Sequence, residues 1–212
     1  MAQKERFTVK AKNVGKQQVS KNPLIEKLTR THIAVPVSLY FIIAAGLLFY
    51  AIQRQNMNSL LVTLLFFGGW LFFTLLEYIM HRWVFHMSIH TKIRKKLQYL
   101  AHGVHHEYPK DTKRLAMPVP ASLALALIFF SIFWLIMNIY TYGFLPGVLV
   151  GYASYLFVHY IVHIYQPPKN YFKHLWLSHA IHHYKDNTVV FGVSSQLWDH
   201  IFGTMPKKMS KA

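Results

Sequence analysis

The chain has 212 residues, of which 53% are hydrophobic and 14% charged, and this balance disfavours an ordinary soluble domain and favours a membrane protein. An excess of 23 Lys and Arg over 7 Asp and Glu gives a net charge of +16. A nucleic-acid-binding domain of this size would rarely contain several apolar runs of membrane-spanning length, so we expect no nucleic-acid partner. The chain has no cysteine, which excludes disulfides, thiolate metal ligands and cysteine nucleophiles.

The first predicted elements are a basic tail and a helical hairpin. Residues 1–32 lack the apolar segment of a secretory signal, and we interpret them as a basic tail that stays in the cytosol. The apolar runs 33–52 and 60–79 are each 20 residues long, enough at about 1.5 Å per residue to cross a hydrocarbon layer of about 30 Å. A short polar turn separates them, so we expect two membrane-spanning helices joined as a hairpin.

The second half of the chain repeats this organisation after a polar segment. Residues 80–117 are polar and rich in His, and the two stretches that follow, 118–140 and 143–164, are again long enough to span. Glycine and proline residues within 143–147 predict the turn between these two spans. Residues 165–212 mix aromatic and charged side chains, which favours short helices at the membrane interface.

The distribution of Lys and Arg predicts the topology. Outside the spans there are 8 in the N-terminal tail, 1 in the first turn, 8 in the 80–117 segment, none in the second turn and 6 at the C-terminus. By the positive-inside rule, both termini and the central segment lie in the cytosol. The predicted fold is an all-α integral membrane domain over 33–212, with four transmembrane helices and a cytosolic, His-rich, metal-binding cap of short helices formed by 80–117 and 165–212. A soluble bundle of buried helices is the alternative.

Histidine is the outstanding residue type, with 14 in the chain. Ten fall in four clusters on the side predicted to be cytosolic. They are His81 and His86; His102, His105 and His106; His159 and His163; and His179, His182 and His183. In a helix, an HxxHH pattern places three imidazoles within an arc of about 100°, and two His four residues apart share a face. The five-residue step from His81 to His86 corresponds to about 140°, which indicates that the helix ends between them or that they flank the metals from two sides.

Together these clusters predict a site for two metal ions. Imidazole binds Fe, Zn, Cu or Ni, and the ligand type alone does not choose among these metals. A structural zinc needs four ligands, so ten imidazoles indicate two ions with about five ligands each and a position open for oxygen or substrate. The other four histidines are interpreted as packed or solvated residues: His32, His90, His174 and His200.

Acidic residues near the clusters have a weaker claim to the site. Glu77 lies four residues before His81 and either accepts a hydrogen bond from a ligand imidazole or is a satisfied polar residue near the membrane interface. Asp186, Asn187 and Asp199 lie near the last cluster and either orient ligands or shape turns.

The text around the histidines resembles a known family. The segments EYIMHRWVFH, HGVHHEYPKDTKRLAMP, HYIVH and HLWLSHAIHHYKDNTVVFGVSSQLWDHIFGT follow one another over about residues 70 to 205. In this order and spacing they are similar to the membrane fatty acid hydroxylase and sterol desaturase superfamily, and most closely to its fatty acid 2-hydroxylase branch. The resemblance implies two iron ions held by the ten histidines, oxygen activation, and hydroxylation of a fatty acyl chain at C2 in a membrane lipid or a free fatty acid.

Two differences from that family concern the substrate head group with the position of hydroxylation, and the electron supply. In the eukaryotic 2-hydroxylases, Tyr-Asp stands four residues before the first His of the third cluster, whereas Tyr155 is followed here by Leu156. Tyr155 is the candidate catalytic residue. Residues 1–32 contain neither the haem-ligating His pair nor enough residues for a cytochrome b5-like domain, so the resemblance implies an external electron donor, a separate protein such as a cytochrome b5-like protein or a ferredoxin.

Other functions remain open at this point. A desaturase or a sterol or carotenoid hydroxylase of the same superfamily would share the histidines, although the segments KDTKRLAMP and NTVVFG favour the fatty acyl branch. A membrane metal-binding or transport protein would also explain His clusters beside a bilayer. Transport sites, however, usually lie at the midplane between repeated halves, whereas these clusters are predicted at one cytosolic end.

Overall fold

The computed structural model describes residues 9–207, and within them the chain forms helices and no β-strand. The α-helices are α1 Pro23–Leu28, α2 Ala34–Gln53, α3 Ser59–Ile79, α4 Lys92–Gln98, α5 Val104–Glu107, α6 Val119–Met137, α7 Thr141–Ile164, α8 Lys173–Tyr184 and α9 Leu197–Ile201. Two π-helical segments, Met80–Phe85 and Tyr99–Gly103, follow α3 and α4 directly. The prediction of an all-helical fold is confirmed for the described residues.

Within residues 9–207, three helical stretches are long and apolar enough to cross a membrane: Ala34–Gln53, Ser59–Phe85 and Val119–Ile164. The first two correspond to the predicted spans 33–52 and 60–79. The third is 46 residues long and covers both remaining predicted spans, 118–140 and 143–164, except for residue 118. Their apolar length and composition support the prediction of a membrane protein.

The long third stretch is interrupted at Asn138–Tyr140, where a 3-10 turn separates α6 from α7. Asn138 has a φ of 50°, a left-handed conformation that ends the regular helix. The rings of Phe133 and Phe144 are 5.1 Å apart, although 11 residues of straight helix would separate them by about 16 Å. The chain therefore folds back on itself at this turn.

The glycine and proline residues within 143–147 do not form the turn, so that part of the prediction is wrong. They lie inside α7, where Gly147 faces α3 so closely that a Cβ would be 1.9 Å from the carbonyl oxygen of Phe66. Gly69 of α3 makes the reciprocal approach, because a Cβ there would be 2.0 Å from the carbonyl oxygen of Phe144. Small residues let two helix backbones come into contact. Glycine is also common in turns, so its presence alone does not distinguish a turn from a close helix contact.

The chain divides into two compact units. Unit 1 comprises the described parts of Met1–Asn22, Leu76–Thr112 and Val158–Ala212. Unit 2 comprises Pro23–Leu75 and Lys113–Phe157. All ten clustered histidines belong to unit 1.

Unit 2 contains α1, α2, α6 and most of α3 and α7, and its buried residues are mostly aliphatic, with aromatic rings packed beside them. The Phe72 ring lies 5.7 Å from the rings of both Phe133 and Phe144. The unit also contains a polar contact, in which Arg114 pairs with Glu26 and donates a hydrogen bond of 3.2 Å to the Thr29 hydroxyl. Residues 23–31, which we assigned to the tail, thus pack within this unit, and the boundary at residue 32 stays a prediction.

Unit 1 contains α4, α5, α8, α9, both π-helical segments, the last residues of α3 and the end of α7 that carries His159 and His163. Part of the N-terminal tail packs here too, since the Lys12 ammonium lies 2.6 Å from the Glu107 carboxylate and the Lys12 N–H donates to the Glu107 carbonyl oxygen at 2.7 Å. The Tyr184 hydroxyl donates to Asn13 at 3.0 Å. Residues 12 and 13 thereby contact the residue that directly follows each HxxHH pattern.

Candidate metal centre

The ten histidines of the four clusters come together in two groups of five. Group A is His81, His86, His102, His106 and His182, and group B is His105, His159, His163, His179 and His183. Within each group, one nitrogen from every ring lies within 4.8 Å of all the others. Each group is a set that could hold one metal ion.

Each HxxHH helix contributes to both groups. On the first, His102 and His106 belong to group A and His105 to group B. On α8 the division is reversed, because the flanking pair joins group B and the middle residue, His182, joins group A. Around the axis of an α-helix, position i+4 lies about 40° from position i, whereas position i+3 lies about 60° from i in the opposite direction. One helix can therefore direct side chains at two neighbouring ions. The repeated pattern in the sequence thus crosses over between the groups.

His81 and His86 lie in the same group because the helix between them is wound more loosely. The His86 N–H donates to the His81 carbonyl oxygen at 3.2 Å, the i to i−5 bond of a π-helix. A five-residue step then corresponds to about one turn, and the two rings lie 5.1 Å apart. The helical segment ends at Phe85, directly before His86, which confirms the expectation that a helix ends between the two residues. Both rings belong to group A.

The nitrogen separations match those expected around a bound ion. A metal–nitrogen bond of about 2.0–2.1 Å places adjacent ligand nitrogens about 3 Å apart and opposite ones about 4 Å apart. In group A the Nε2–Nε2 distances are 3.1 Å for His81 and His102, 3.0 Å for His102 and His106, and 2.9 Å for His86 and His182. In group B they are 3.1 Å for His105 and His183, 2.9 Å for His105 and His159, and 2.7 Å for His163 and His179. The residues present therefore fit a metal in each group.

The two groups adjoin one another. The rings of His106 in group A and His183 in group B stack with centroids 4.1 Å apart and planes 16° from parallel. Ions held by the two groups would accordingly be close neighbours.

Burial keeps these imidazoles neutral. It lowers the pKa of His182 to about 4 and that of His86 to about 2. Burial, and after it repulsion between neighbouring imidazoles, also lowers the pKa well below its ordinary value in His102, His105, His106, His179 and His183. A neutral imidazole has a nitrogen lone pair available, which is the form that binds metal.

Backbone carbonyls of residues 189–191 orient two rings of group A. The Nδ1 of His81 donates to the Phe191 oxygen at 2.5 Å, and the Nδ1 of His182 donates to the Val189 oxygen at 2.8 Å. Because a carbonyl only accepts, each ring carries its proton on Nδ1 and turns the Nε2 lone pair toward the site. The sequence could not predict these two acceptors, because every residue type has a backbone carbonyl.

The acidic residues Glu77 and Asp199 hold this carbonyl segment. Glu77 accepts hydrogen bonds from the N–H groups of Val193 at 2.6 Å and Ser194 at 3.0 Å, and also from the Ser194 hydroxyl. Asp199 accepts from the N–H groups of Phe191 and Gly192, both at 2.8 Å. Glu77 thus supports the site through the backbone, not through the direct contact with an imidazole that we considered, and Asp199 acts in the same way.

Asp186 shapes the turn before that segment. Its carboxylate accepts from the Thr188 N–H at 2.9 Å and from the Thr188 hydroxyl at 2.5 Å. This is the second of the two roles that its position in the sequence suggested.

Tyr155 belongs to neither histidine group. It lies on α7 in unit 2, where its ring is 6.2 Å from that of Tyr152 and 6.3 Å from that of Phe73. Its catalytic role stays a prediction. The four histidines that we assigned to packed or solvated positions also lie outside both groups: His32, His90, His174 and His200.

The chain is similar to fatty acid hydroxylases of plants, animals and fungi. Residues 66–204 match the family described as "Fatty acid hydroxylase". A dihydroceramide fatty acyl 2-hydroxylase of Arabidopsis thaliana is 38% identical over 139 residues, covering 65% of this chain and 59% of the relative. Fatty acid 2-hydroxylase of Mus musculus is 38% identical over 147 residues, covering 66% and 39%. The ceramide very long chain fatty acid hydroxylase of Saccharomyces cerevisiae is 33% identical over 185 residues, covering 85% and 47%.

The fold is also similar to a solved structure. Full-length scs7p, of which only the hydroxylase domain is visible, superposes with a TM-score of 0.80 at 32% sequence identity, covering 87% of this chain and 70% of that chain. The three sequence relatives are longer than this chain, which spans between 39% and 59% of their length.

Proposed function

Because the chain belongs to the fatty acid hydroxylase family, we propose that it is a non-haem di-iron oxygenase that hydroxylates a fatty acyl chain at C2, in a membrane lipid or a free fatty acid. The observation that carries this proposal is the pair of adjoining five-histidine groups, whose Nε2 atoms have the separations of metal ligands. Three relatives from different kingdoms are named as 2-hydroxylases or very long chain fatty acid hydroxylases, which supports an acyl substrate and the C2 position.

The protein's own part in the reaction is to hold the metals, orient their ligands and keep the site dry. Two iron ions in groups A and B would supply the activation of molecular oxygen. The buried, neutral imidazoles offer five nitrogens to each ion and leave room for oxygen or substrate in the coordination shell. The carbonyls of Val189 and Phe191 fix the orientation of two rings. The electrons come from a separate redox protein, such as a cytochrome b5-like protein or a ferredoxin.

The identity of the metal decides whether the site is active. Both groups consist of imidazoles alone, and zinc binds nitrogen ligands more tightly than ferrous iron. Zinc has no accessible change of oxidation state, so a zinc-loaded protein cannot activate oxygen. Protein purified in air would carry zinc and be inactive.

We also propose that the chain crosses the membrane four times, with both termini and the histidine groups on the cytosolic side. The turn at Asn138–Tyr140 and the contact between Phe133 and Phe144 support two crossings within the third apolar stretch. The concentration of Lys and Arg in the tail, the 80–117 segment and the C-terminus supports the orientation. Reporter tags at residues 1, 100 and 212 should all report cytosol and a tag near Asn56 the opposite side; an external signal from residue 100 contradicts this topology.

The alternatives considered from the sequence have less support. The relatives named above are hydroxylases, which disfavours a desaturase, and their acyl and ceramide names disfavour a sterol or carotenoid substrate. A metal transporter would alter the metal content of cells that express the chain without altering their lipids.

The test combines lipid analysis with metal reconstitution. Metal-free protein is loaded with Fe(II) or with Zn(II), supplied with a reductant, oxygen and a fatty acyl lipid, and the products are identified by mass spectrometry. We expect two ions per chain in both preparations and a 2-hydroxy acyl product only with iron. Turnover by the zinc form, or full activity with one iron per chain, contradicts the di-iron proposal. A product hydroxylated at another carbon contradicts only the C2 position.

A further inference from the structure

The segment 189–194 links two buried carboxylates to two histidines of one group. Its N–H groups at four consecutive residues, 191 to 194, donate to Asp199 and Glu77. Its carbonyls at 189 and 191 accept from the Nδ1 atoms of His182 and His81. The N–H groups of the segment are therefore held by carboxylates, and its carbonyl groups set the orientation of two imidazoles.

The conformation of this segment is unusual and is held from several directions. Val190 has a φ of 48°, a left-handed conformation that β-branched residues rarely adopt and that persists only where surrounding contacts impose it. Its N–H donates to the Thr204 oxygen at 2.9 Å, and the Thr204 hydroxyl donates to Asp199 at 2.6 Å. A Cβ on Gly192 would lie 2.0 Å from the Ser195 oxygen, so the following turn is closely packed too.

Group B differs from group A in this respect. The Nδ1 atoms of His105, His179 and His183 are buried, and none has a hydrogen-bond partner among residues 9–207. No hydrogen bond to Nδ1 therefore fixes the tautomer of these three rings, as it does for the two anchored rings of group A. An acceptor on Nδ1 orients a ligand imidazole and raises its basicity, which strengthens metal binding.

From this difference, and resting on the proposed two-metal function, we propose that the metal sites are unequal. Group A holds its ion more tightly than group B, and Glu77 and Asp199 are positioning residues that produce this difference through the segment 189–194. Neither carboxylate touches a histidine in the contacts described above; each acts on the metal through backbone N–H and carbonyl groups.

The experiment measures metal loss and does not depend on catalysis. The complete chain is loaded with zinc and mixed with excess chromogenic chelator, and zinc transfer is followed in time. We expect two phases, each releasing one ion per chain. His86→Ala should abolish the slow phase and His163→Ala the fast phase, which assigns the phases to groups A and B.

The key variant is Asp199→Asn. An asparagine amide can still accept from one backbone N–H but turns its NH2 toward the other, so the segment 189–194 loosens. The slow phase should accelerate by about tenfold while the fast phase stays unchanged. Ser194→Ala, which removes one donor to Glu77, should accelerate the same phase by a smaller factor and serves if the first variant does not fold. Glu26→Gln, a matched carboxylate-to-amide change in unit 2, should leave both phases unchanged.

Two outcomes overturn the inference: release of both ions from the unmodified chain in a single phase, or equal acceleration of both phases in the Asp199 and Ser194 variants. An unmodified chain that binds fewer than two zinc ions instead contradicts the proposed two-metal function. The two failures are thereby distinguished by the stoichiometry of the unmodified chain.

A second, independent observation concerns the outer side of α4. Gln98 is buried and donates to the Phe85 oxygen at 2.8 Å, which fixes the rotation of this helix. The opposite side carries Ile93 and Leu97, one turn apart, which are 72% and 55% exposed. Leu100, which is 43% exposed, continues this apolar stripe into the next segment. Large apolar residues aligned along an exposed helix face indicate contact with an apolar partner.

Positive charges flank this stripe on both sides. Lys92 and Lys96 lie on one side of it and Arg94 on the other, and residues 86–106 contain no Asp or Glu. An apolar stripe between cations is the pattern of a helix that lies in a membrane interface, with its apolar side chains among the acyl chains and its ammonium groups at anionic headgroups.

We propose that α4 lies on the membrane surface and binds anionic lipid. A lipid surface fits better than a protein partner, because the chain already has helices of membrane-spanning length and the stripe consists of only three side chains. This contact would hold the α4 end of unit 1 against the bilayer.

The chain lacks cysteine, so single-cysteine labelling gives an unambiguous test. Leu97→Cys and Lys95→Cys, which lie on opposite sides of α4, are labelled with a polarity-sensitive fluorophore in nanodiscs with or without phosphatidylglycerol. The label at 97 should be quenched by doxyl lipids and shielded from aqueous iodide, and the label at 95 should show the reverse. Replacing Lys92 and Lys96 by Gln should reduce the quenching at 97 only in the anionic nanodiscs. Equal iodide quenching at both positions, or shielding at 97 only after an acidic soluble protein is added, overturns the proposal.

Discussion

In unit 1 the buried side chains are mostly imidazoles and carboxylates, and their polar atoms point at one another or at backbone groups, as in the contact of His182 with the Val189 carbonyl. In unit 2 the buried side chains are mostly aliphatic, such as Leu145 and Leu149, with a few aromatic rings such as Phe133, and glycines let α3 approach α7. A hydrogen bond or metal contact is lost when one of its atoms is replaced, whereas close apolar packing is disrupted when a side chain becomes larger. The two units should therefore respond to opposite kinds of substitution.

The largest effect is expected from removing a ligand histidine in unit 1. His182→Ala leaves group A with four imidazoles and removes the ring anchored on Val189, so metal content should fall and turnover should drop by more than about 100-fold. Metal analysis and a hydroxylation assay measure both. His105→Ala should do the same through group B, whereas His32→Ala, outside both groups, should change neither. Full activity of either cluster variant would refute the assigned site.

The corresponding change in unit 2 adds one carbon atom. In Gly147→Ala the new Cβ would lie 1.9 Å from the Phe66 oxygen, so α3 and α7 must separate, at a cost of about 3 kcal/mol in the free energy of unfolding. Gly46→Ala in α2 is the matched control, because a Cβ there has nothing within 4 Å and should stabilise by up to about 1 kcal/mol. Thermal unfolding in detergent reports both values. Equal stability of the two variants would mean that the helices do not touch at Gly147.

Tyr155 tests whether unit 2 contributes more than packing. Tyr155→Phe keeps the ring and its contact with Tyr152 but removes the hydroxyl. If that hydroxyl contacts the substrate, kcat should fall about tenfold, equivalent to about 1.4 kcal/mol, with metal content and melting temperature unchanged. Tyr152→Phe is the control in the same aromatic cluster and should retain kcat. An unchanged kcat in Tyr155→Phe would leave Tyr155 as a packing residue.

The smallest effect is expected at the one polar contact described for unit 2 above. Arg114→Lys keeps the positive charge beside Glu26 but loses the planar fork that also reaches Thr29, which should cost about 1 kcal/mol of stability. Metal content should not change, because no member of either histidine group lies in this unit. Loss of metal in this variant would mean that the two units do not respond independently.

Much of the fold could be predicted because its signals are local. An apolar run of 20 residues specifies a spanning helix by itself, and α2 and α3 begin and end within one or two residues of the predicted bounds. The ten histidines were recognisable by their number and spacing alone. Errors arose where one residue type has two uses: the glycines near position 147 were assigned to a turn, but they bring two helices together, and the reversal occurs at Asn138.

Local patterns of residues are enough to predict the helices of spanning length and the ten clustered histidines, because helix periodicity and hydropathy act over neighbouring residues. Which histidines meet follows from the tertiary structure alone. His182 and His86 are 96 residues apart and lie together, while the neighbours His182 and His183 are divided between the two groups. It likewise decided that a π-turn brings His81 beside His86 and that the carbonyls of residues 189 and 191 orient two rings. These contacts depend on distant backbone atoms that every residue type shares, so no local pattern of side chains specifies them.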